Sequence, residues 1–597
     1  MESRNGMYWS AVVLAVLALV AAWIGHRVER DFGRVEVETL SFMTTEMQPM
    51  VAKLYRPRTA TADNPAPGLL ALHGYQSDKE ATSTFGALEL ARRGYVVLAI
   101  DQFGHGFSTR APARNKTMSG ADHGYQYLKR LPFVDPARLG IFGHSTGALN
   151  AVRVARQNPD HRAVNGQSSN GGEMEGLNNY LLTQGLYEEI GPYREKTFPV
   201  KDLVRHEKRL AAFGLPADGE LAWNHTYGRF EDGTARRADL VPATHLGVMV
   251  SAQTNQHAID WFDEAMNHHQ RVVGFTYWYK ELAGLASLLL ALASALCLAN
   301  GLLGTRYFGV ARHPIDPLVP LRGRAWWRGA LFNIVLTMLL YPLLTQWGGA
   351  NEPMAARLPW MPLEMGNGLI TWLLGTAAIG LVCFVVWIVA QRGRLRPYQL
   401  GLGAHPAHRS GSKIWERSLI LAGVLFVYLY ALTLFIHSVT GQELRFLWPL
   451  LKPMTVERWQ LFPVYWGLIL LAFLVINGLV LTAQFKQPTG HGFLADWLRW
   501  SAATIVMAVG GLLLLWCAHF LPGYLQWGPG FDLIGLPQFG GRWMMMLPVV
   551  MAQFSAMIVI NHWCYLKTGY IWLGVFFTSL LMAWMLVGGQ VIGRFMA

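Results

Sequence analysis

The sequence predicts an α/β domain, a mostly parallel sheet with helices on both faces, joined to an all-α multi-span membrane domain. Three observations carry this prediction. The 597 residues are 52% hydrophobic and 15% charged, with 23 Trp, which is unusual for a purely water-soluble chain. The apolar residues are unevenly spread: 27–280 reads as ordinary globular sequence, whereas nearly everything in 281–597 falls in long apolar blocks. Within 27–280, short continuous apolar runs alternate with helix-compatible stretches, as in a parallel sheet covered on both sides.

An N-terminal transmembrane anchor, 1–26, comes first. An unbroken apolar run from Ala11 to Ile24 is extended to spanning length by Tyr8, Trp9 and Ser10. Ala21-Ala22-Trp23 offers no small-x-small cleavage site and a charged segment, His26 to Arg30, follows it, so an uncleaved anchor is expected rather than a signal peptide. Val35 to Phe42 and Val51 to Tyr55 read as two opening strands, and Thr59 to Pro67 as a turn-rich loop. Gly68 to Leu72, Tyr95 to Ile100 and Leu139 to Phe142 are the buried runs, with helical segments Glu80 to Arg93 and Gly120 to Arg130 between them. Functional groups are then expected beyond the carboxyl ends of these strands.

Each buried run ends in a polar motif: His73-Gly74-Tyr75, then Asp101-Gln-Phe-Gly-His-Gly-Phe-Ser108, then Gly143-His-Ser145-Thr-Gly147. A Gly-x-Ser-x-Gly pentapeptide is weak alone, but here an apolar strand runs into it and a helix-compatible run, Ala148 to Gln157, leaves it. Such a turn puts its serine in strained backbone at the apex, where small neighbours at Gly143 and Gly147 relieve the crowding. Ser145 is therefore the candidate nucleophile. In this order the motifs resemble those of the α/β-hydrolase superfamily, in its dienelactone-hydrolase-like and serine-aminopeptidase-like branches, over about Val35 to Met266. Phe103 stands where that family commonly has Arg, and Thr146 where Met or Gln is frequent; neither departure removes a catalytic atom.

The resemblance implies a Ser-His-acid triad in that chain order. The family's histidine position falls on His245, delivered by a short strand from Leu240 to Thr244 and followed by a closing helix, Ser251 to Met266. Its rivals are His257, which lies within that helix, and His225, which has no strand before it. Asn179 onward reads as a strand with Glu188 in the family's acid position; Glu189 and Asp232 stand as alternatives. The oxyanion hole would use the backbone N–H groups of Tyr75 and Thr146. His73, Asp101 and His105 read as loop-shaping groups. The stretch from Tyr187 to Phe230, with Tyr193, Phe198, Phe213, Trp223 and Tyr227, forms either a cap over the site or a helix pair packed on the sheet.

After an aromatic cluster, Phe275 to Tyr279, suited to a bilayer interface, eight spans are expected. They run approximately Ala283 to Leu303, Gly329 to Trp347, Gly368 to Ala390, Ser418 to His437, Val464 to Gln484, Ser501 to Phe520, Trp543 to Asn561 and Tyr570 to Ile592. Each is near the ~20 residues a bilayer requires. The loop after the second span carries Arg306, Arg312, Arg322, Arg324 and Arg328, and the loop after the fourth carries Arg392, Arg394, Arg396, Arg409, Lys413 and Arg417. Alternate loops are poorer, with Arg357 against Glu352 and Glu364, and Arg542 against Asp532. Positive residues stay inside, so the N-terminus is expected in the cytoplasm and the α/β domain outside it. Topology thus accounts for the net charge of +12, and no nucleic-acid partner is needed.

Cys297, Cys383, Cys517 and Cys564 all lie in or beside spans, so no disulfide framework supports the α/β domain. No metal-ligand spacing or phosphate-binding loop is present, and no cofactor is expected. Within the spans, Asn333, Asn477, His519 and Asn561 suit helix–helix hydrogen bonding, or else a binding cavity. The function expected is a membrane-bound extracytoplasmic serine hydrolase that cleaves a carboxylic ester or related acyl bond of a small molecule or lipid, through an acyl-enzyme. The alternatives are an acyltransferase acting on a lipid or envelope glycan, and a membrane transport or scaffold protein whose hydrolase-like domain only binds.

Overall fold

A computed structural model describes the chain except for 1–3, 112–118, 170–175, 191–196, 198, 350–357, 359, 405–412, 529–542 and 594–597. Helix α1 (Arg4–Glu29) leads into a nine-stranded sheet. Its strands are β1 (Val35–Met43), β2 (Pro49–Pro57), β3 (Ala66–Leu72), β4 (Val96–Ile100), β5 (Val134–His144), β6 (Ala163–Gln167), β7 (Tyr180–Tyr187), β8 (Thr226–Tyr227) and β9 (Arg236–Thr244). Their spatial order is β1-β2-β4-β3-β5-β6-β7-β9-β8. The central run from β4 to β9 is parallel, and β1, β2 and β8 pair antiparallel at the margins.

The continuous apolar runs are explained by two cores. Leu70, Leu72, Leu98, Ile100 and Ile141 face α4 (Ala121–Lys129) and α5 (Thr146–Gln157). Their alternate neighbours Leu69, Ala71, Val97, Ala99 and Phe142 face the other side, covered by α2 (Lys79–Thr82), α3 (Leu88–Arg92) and α8 (Ala252–Met266). A π-helical turn, Ser83–Ala87, joins α2 to α3, and Gly86 there lets the ring of Phe142 approach to where a Cβ would sit.

Three expectations need correction. Strand β5 starts at Val134, not Leu139, because its pairing with β3 resumes across a register shift at Pro67/Gly68. Strand β6 was not expected; its Asn165 and Gln167 hide it, and both are buried with Asn165 donating to Leu181 O and Thr183 Oγ1. The stretch from Tyr187 to Phe230 is not a cap where it is described: α6 (Glu207–Ala212) puts Leu210 into the sheet core beside Phe213. Tyr193 and Phe198 lie outside the described residues.

Helix α7 (His245–Val250) follows β9, and after α8 come the membrane helices. These are α9 (Tyr277–Leu303), α10 (Gly323–Gly349), α11 (Glu364–Ala390), α12 (Lys413–Thr440), α13 (Val456–Phe473, continued by a π-helical stretch Leu474–Gln484), α14 (Phe493–Tyr524), α15 (Leu547–Thr568) and α16 (Trp572–Gly589). With α1 they make nine described helices long and apolar enough to cross a membrane. Small residues let α1 and α9 lie close: Ser287 and Ser294 donate to the carbonyls of Ala18 and Ala11. A hairpin absent from the sequence reading, β10 (Leu444–Phe446) and β11 (Trp448–Leu451), links α12 to α13.

The sheet's carboxyl edge abuts this bundle through buried charges. Glu29, at the end of α1, and Glu80 share Lys53 and Lys280 at 2.6–3.3 Å. Beside them Asp78 pairs with Arg445 at 3.0 Å and Lys452 at 2.6 Å, both from the hairpin side. Removing one partner from such a set strands a buried charge. Lys280→Met is therefore expected to destabilise the protein by about 3–5 kcal/mol. Adding Glu80→Gln should recover part of that loss, as read by thermal unfolding in detergent.

Candidate active site

Strand β5 ends at His144 and α5 begins at Thr146, so the whole reversal falls on Ser145. Its backbone sits at φ 55°, ψ −117°, a region unfavourable for a residue with a Cβ. The strain persists because the neighbours leave no other path: the Ser145 N–H is tied to Gln167 O at 2.8 Å. A Cβ on Gly147 would lie 2.1 Å from Leu72 O, and one on Gly143 would lie 2.4 Å from the Gly147 carbonyl. Gly147 is therefore required by close packing of the turn against β3, and Gly143 by the approach of the start of α5 to the end of β5. The serine emerges at the N-terminus of α5, where the first helical N–H groups lack intrahelical acceptors.

His245 opens α7, directly after β9, and is buried. Its Nδ1–H donates to Glu188 Oε1 at 2.5 Å. Glu188, just past β7, also accepts from the Ile190 N–H. Burial would raise the Glu188 pKa, but the His245 charge and these hydrogen bonds hold it down to about 2. Its neighbour behaves oppositely. Glu189 accepts from the His245 backbone N–H and from the Tyr524 hydroxyl of α14, and burial together with the Glu188 charge pushes its pKa up to about 7. His144, whose Nε2–H donates to His245 O, is held by burial down to about 3 and so packs as a neutral ring.

The remaining sequence candidates lie elsewhere. Asp232 pairs with Arg229 and is largely exposed. His257 faces Asp239 at 2.7 Å, and His225 rests edge-on against Tyr227. Asp101 accepts from the Lys79 ammonium and from the backbone N–H groups of Lys79 and Phe107, which draws two loops together. His73 accepts the Gln102 N–H, and the His105 Nδ1–H donates to Phe103 O. These three side chains organise the loops.

Ser145, Thr146, Tyr75 and His245 line one cavity. Its other wall, which no sequence motif marks, comes from the membrane half: Met365 of α11, Trp448 of β11, and Met545 and Met546 just before α15. Tyr75 further donates to Glu364 at the start of α11, at 3.0 Å. Arg458 of α13 reaches the carbonyls of Gly104 and Gly106 on one side and of Val587 and Gln590 on the other. No local pattern marks these residues, which are apolar or terminal positions of spans. Among the described residues, no group of three or more His, Cys, Asp or Glu side chains is placed to hold a metal ion.

Residues 63–167 match the family model described as serine aminopeptidase, S33. Two uncharacterized proteins of Mycobacterium tuberculosis, from strains CDC 1551 / Oshkosh and H37Rv, are each 32% identical over 105 residues, 18% of this chain and 36% of theirs. The match thus spans about a third of the relatives' length. Among solved structures, an esterase of Pyrococcus furiosus is 15% identical with a TM-score of 0.29, covering 40% of this chain and 96% of its own. An α/β hydrolase from Penicillium sp. sh18 is 12% identical with a TM-score of 0.28, covering 39% and 99%. Acetyl xylan esterase 1 from Thermoanaerobacterium is 15% identical with a TM-score of 0.26, covering 39% and 84%. With the strand order and the serine turn, the family match gives this chain an α/β-hydrolase domain joined to a helical membrane domain.

The two adjacent carboxyls give a pH test. A folded pKa of about 7 means that the native state holds the Glu189 proton after the unfolded chain has lost it. Stability therefore falls as pH rises from about 4.5 to 7, by up to about 3 kcal/mol. Glu189→Gln should flatten that decline in thermal unfolding measured across the same range.

Proposed function

We propose that the protein is a membrane-bound serine hydrolase that cleaves a carboxylic ester or related acyl bond with Ser145, His245 and Glu188. The observation that carries this reading is the meeting in one cavity of a serine on a strained strand-to-helix turn and a histidine whose Nδ1–H is held by a buried carboxylate. In the proposed reaction His245 Nε2 takes the Ser145 proton as Oγ attacks the acyl carbonyl. The N–H groups of Thr146 and Tyr75 receive the oxyanion, each worth about 3 kcal/mol of barrier. The imidazolium then protonates the leaving group. Water, activated by the same histidine, cleaves the acyl-enzyme.

The domain is proposed to lie outside the cytoplasm. Support comes from the ends of the bundle: the sheet meets one end, through Glu29, Lys280 and Lys452. The basic loops gather at the other, where Lys486 donates to Asp316 O and Gln399 O and the His313 N–H donates to Thr568 O. Arg357, Arg409 and Arg542 lie outside the described residues. A second reading, acyl transfer to a membrane acceptor, is favoured by the apolar wall of Met365, Met545 and Met546 over Ser145, which restricts water.

Membranes carrying the protein should label with a fluorophosphonate probe. Ser145→Ala should abolish labelling and His245→Ala should reduce it strongly, while Glu188→Gln lowers ester turnover by on the order of 10³-fold or more. A wild-type protein that is folded but unlabelled would remove the hydrolase reading and leave a binding domain.

A further inference from the structure

The cavity at Ser145 has a neighbour on its bundle side. A second cavity shares Gln76, Met365, Trp448 and Met546 with the first. It runs on past Leu369, Val550 and Gln553. Met365 and Leu369 are one helical turn apart, and Met546, Val550 and Gln553 lie on successive turns, so the space follows α11 and α15 inward from the carboxyl edge of the sheet. From Met546 to Gln553 the rise is about 10 Å.

Besides Gln76, the polar side chains lining the second cavity are Gln553 and Gln590, the latter with an Oε1 that has no hydrogen-bond partner among the described residues; the rest of its walls are apolar. At the junction Gln76 is 2% exposed; its Oε1 accepts the Val591 N–H, but its Nε2 has no hydrogen-bond partner among the described residues. A buried amide donor without an acceptor is a polar position awaiting one. It follows the oxyanion-loop residue Tyr75 directly in the chain. Met365 and Met546 line both cavities, and their unbranched thioether chains repack readily around an entering group.

We propose that this bore receives the acyl chain of the substrate, so that the protein acts on medium- to long-chain acyl esters, with the ester at Ser145 and Gln76 as a polar neck. This rests on the serine-hydrolase reading and adds its substrate class. An apolar space adjoining the nucleophile's cavity takes the part of the substrate attached to the carbonyl. Each methylene buried there raises kcat/KM by roughly fourfold. The path to Gln553 is as long as a chain of roughly eight carbons, and because the two cavities hold only about 40 and 30 Å³, the chain enters by displacing the Met365 and Met546 side chains. That depth also explains why the hydrolase domain is set on several helices rather than one: the chain-binding site is made by the bundle.

The test uses the full chain in lipid nanodiscs, with 4-nitrophenyl esters from acetate to palmitate and fluorophosphonate labelling measured in parallel. The expected profile rises from acetate to octanoate or decanoate. Val550→Trp, which blocks the bore, should lower the decanoate-to-butyrate ratio by at least about tenfold. Gln553→Ala, which opens the far end, should move the optimum to longer chains, and it decides the matter if the tryptophan variant does not fold. Labelled protein that prefers acetate, or a chain-length profile unmoved by Gln553→Ala, overturns the acyl-bore proposal while leaving the hydrolase reading intact. Absence of both labelling and ester cleavage in folded wild type overturns the hydrolase reading, and the bore proposal with it.

Discussion

The molecule depends on a layer of buried charges between the sheet and the membrane helices. Glu29 ends the first membrane helix, Lys53 lies in β2, Glu80 begins the helix after β3, and Lys280 lies in the first turn of α9; all four are at most 4% exposed. Tyr55 and Gln442 also donate to the Glu29 carboxylate. An ion set this dry adds little net stability over an apolar contact of the same shape, because desolvation offsets the attraction. Its effect is on orientation. Only one placement of the domain satisfies every charge, and any tilt or slip leaves some unpaired.

That placement reaches the chemistry directly. Residues 76–80 follow the His73-Gly74-Tyr75 turn, and Asp78 is held by Arg445 and Lys452 while Lys79 holds Asp101. The loop after β3 is therefore fixed from the bundle side. The loop after β4 is fixed the same way, by Arg458 and by the chain end, where the Ile592 N–H donates to Gly104 O. Gly104 has φ 74° and a Cβ there would meet Ile592 O at 2.4 Å, so Ile592 packs against a loop in the chain's first quarter. Sheet and bundle form one unit around the serine.

How much of this was legible depends on range. Ser145 shows itself by a strand, a turn and a helix between Val134 and Gln157, and the family resemblance then points to His245 and, with Glu189 and Asp232 as alternatives, to Glu188, each just past its own strand; their juxtaposition follows from the parallel sheet. The nine helices declare themselves by length and composition. What stayed hidden was of two kinds. Strand β6 carries Asn165 and Gln167, whose polarity is absorbed by hydrogen bonds that only the folded sheet supplies. The wall over Ser145 is made by Met365, Met545 and Met546, which lie at helix starts hundreds of residues away and look no different from lipid-facing residues.

The adjacent pair Glu188 and Glu189 shows what that distant wall does to the site. Two carboxyls one residue apart, both buried, cannot both stay ionised without a cation between them. The fold divides them. Glu188 takes the imidazole, which offsets its burial. Glu189 turns away to the backbone N–H of His245 and the Tyr524 hydroxyl, which offset its burial and the neighbouring Glu188 charge only in part. The histidine is thus gripped twice, at its ring by Glu188 and at its backbone by a residue that is itself tied to a membrane helix. A shift of α14 would move Tyr524 and, through Glu189, the start of α7. The bundle thus holds the His245 backbone as well as supplying one wall of the Ser145 cavity.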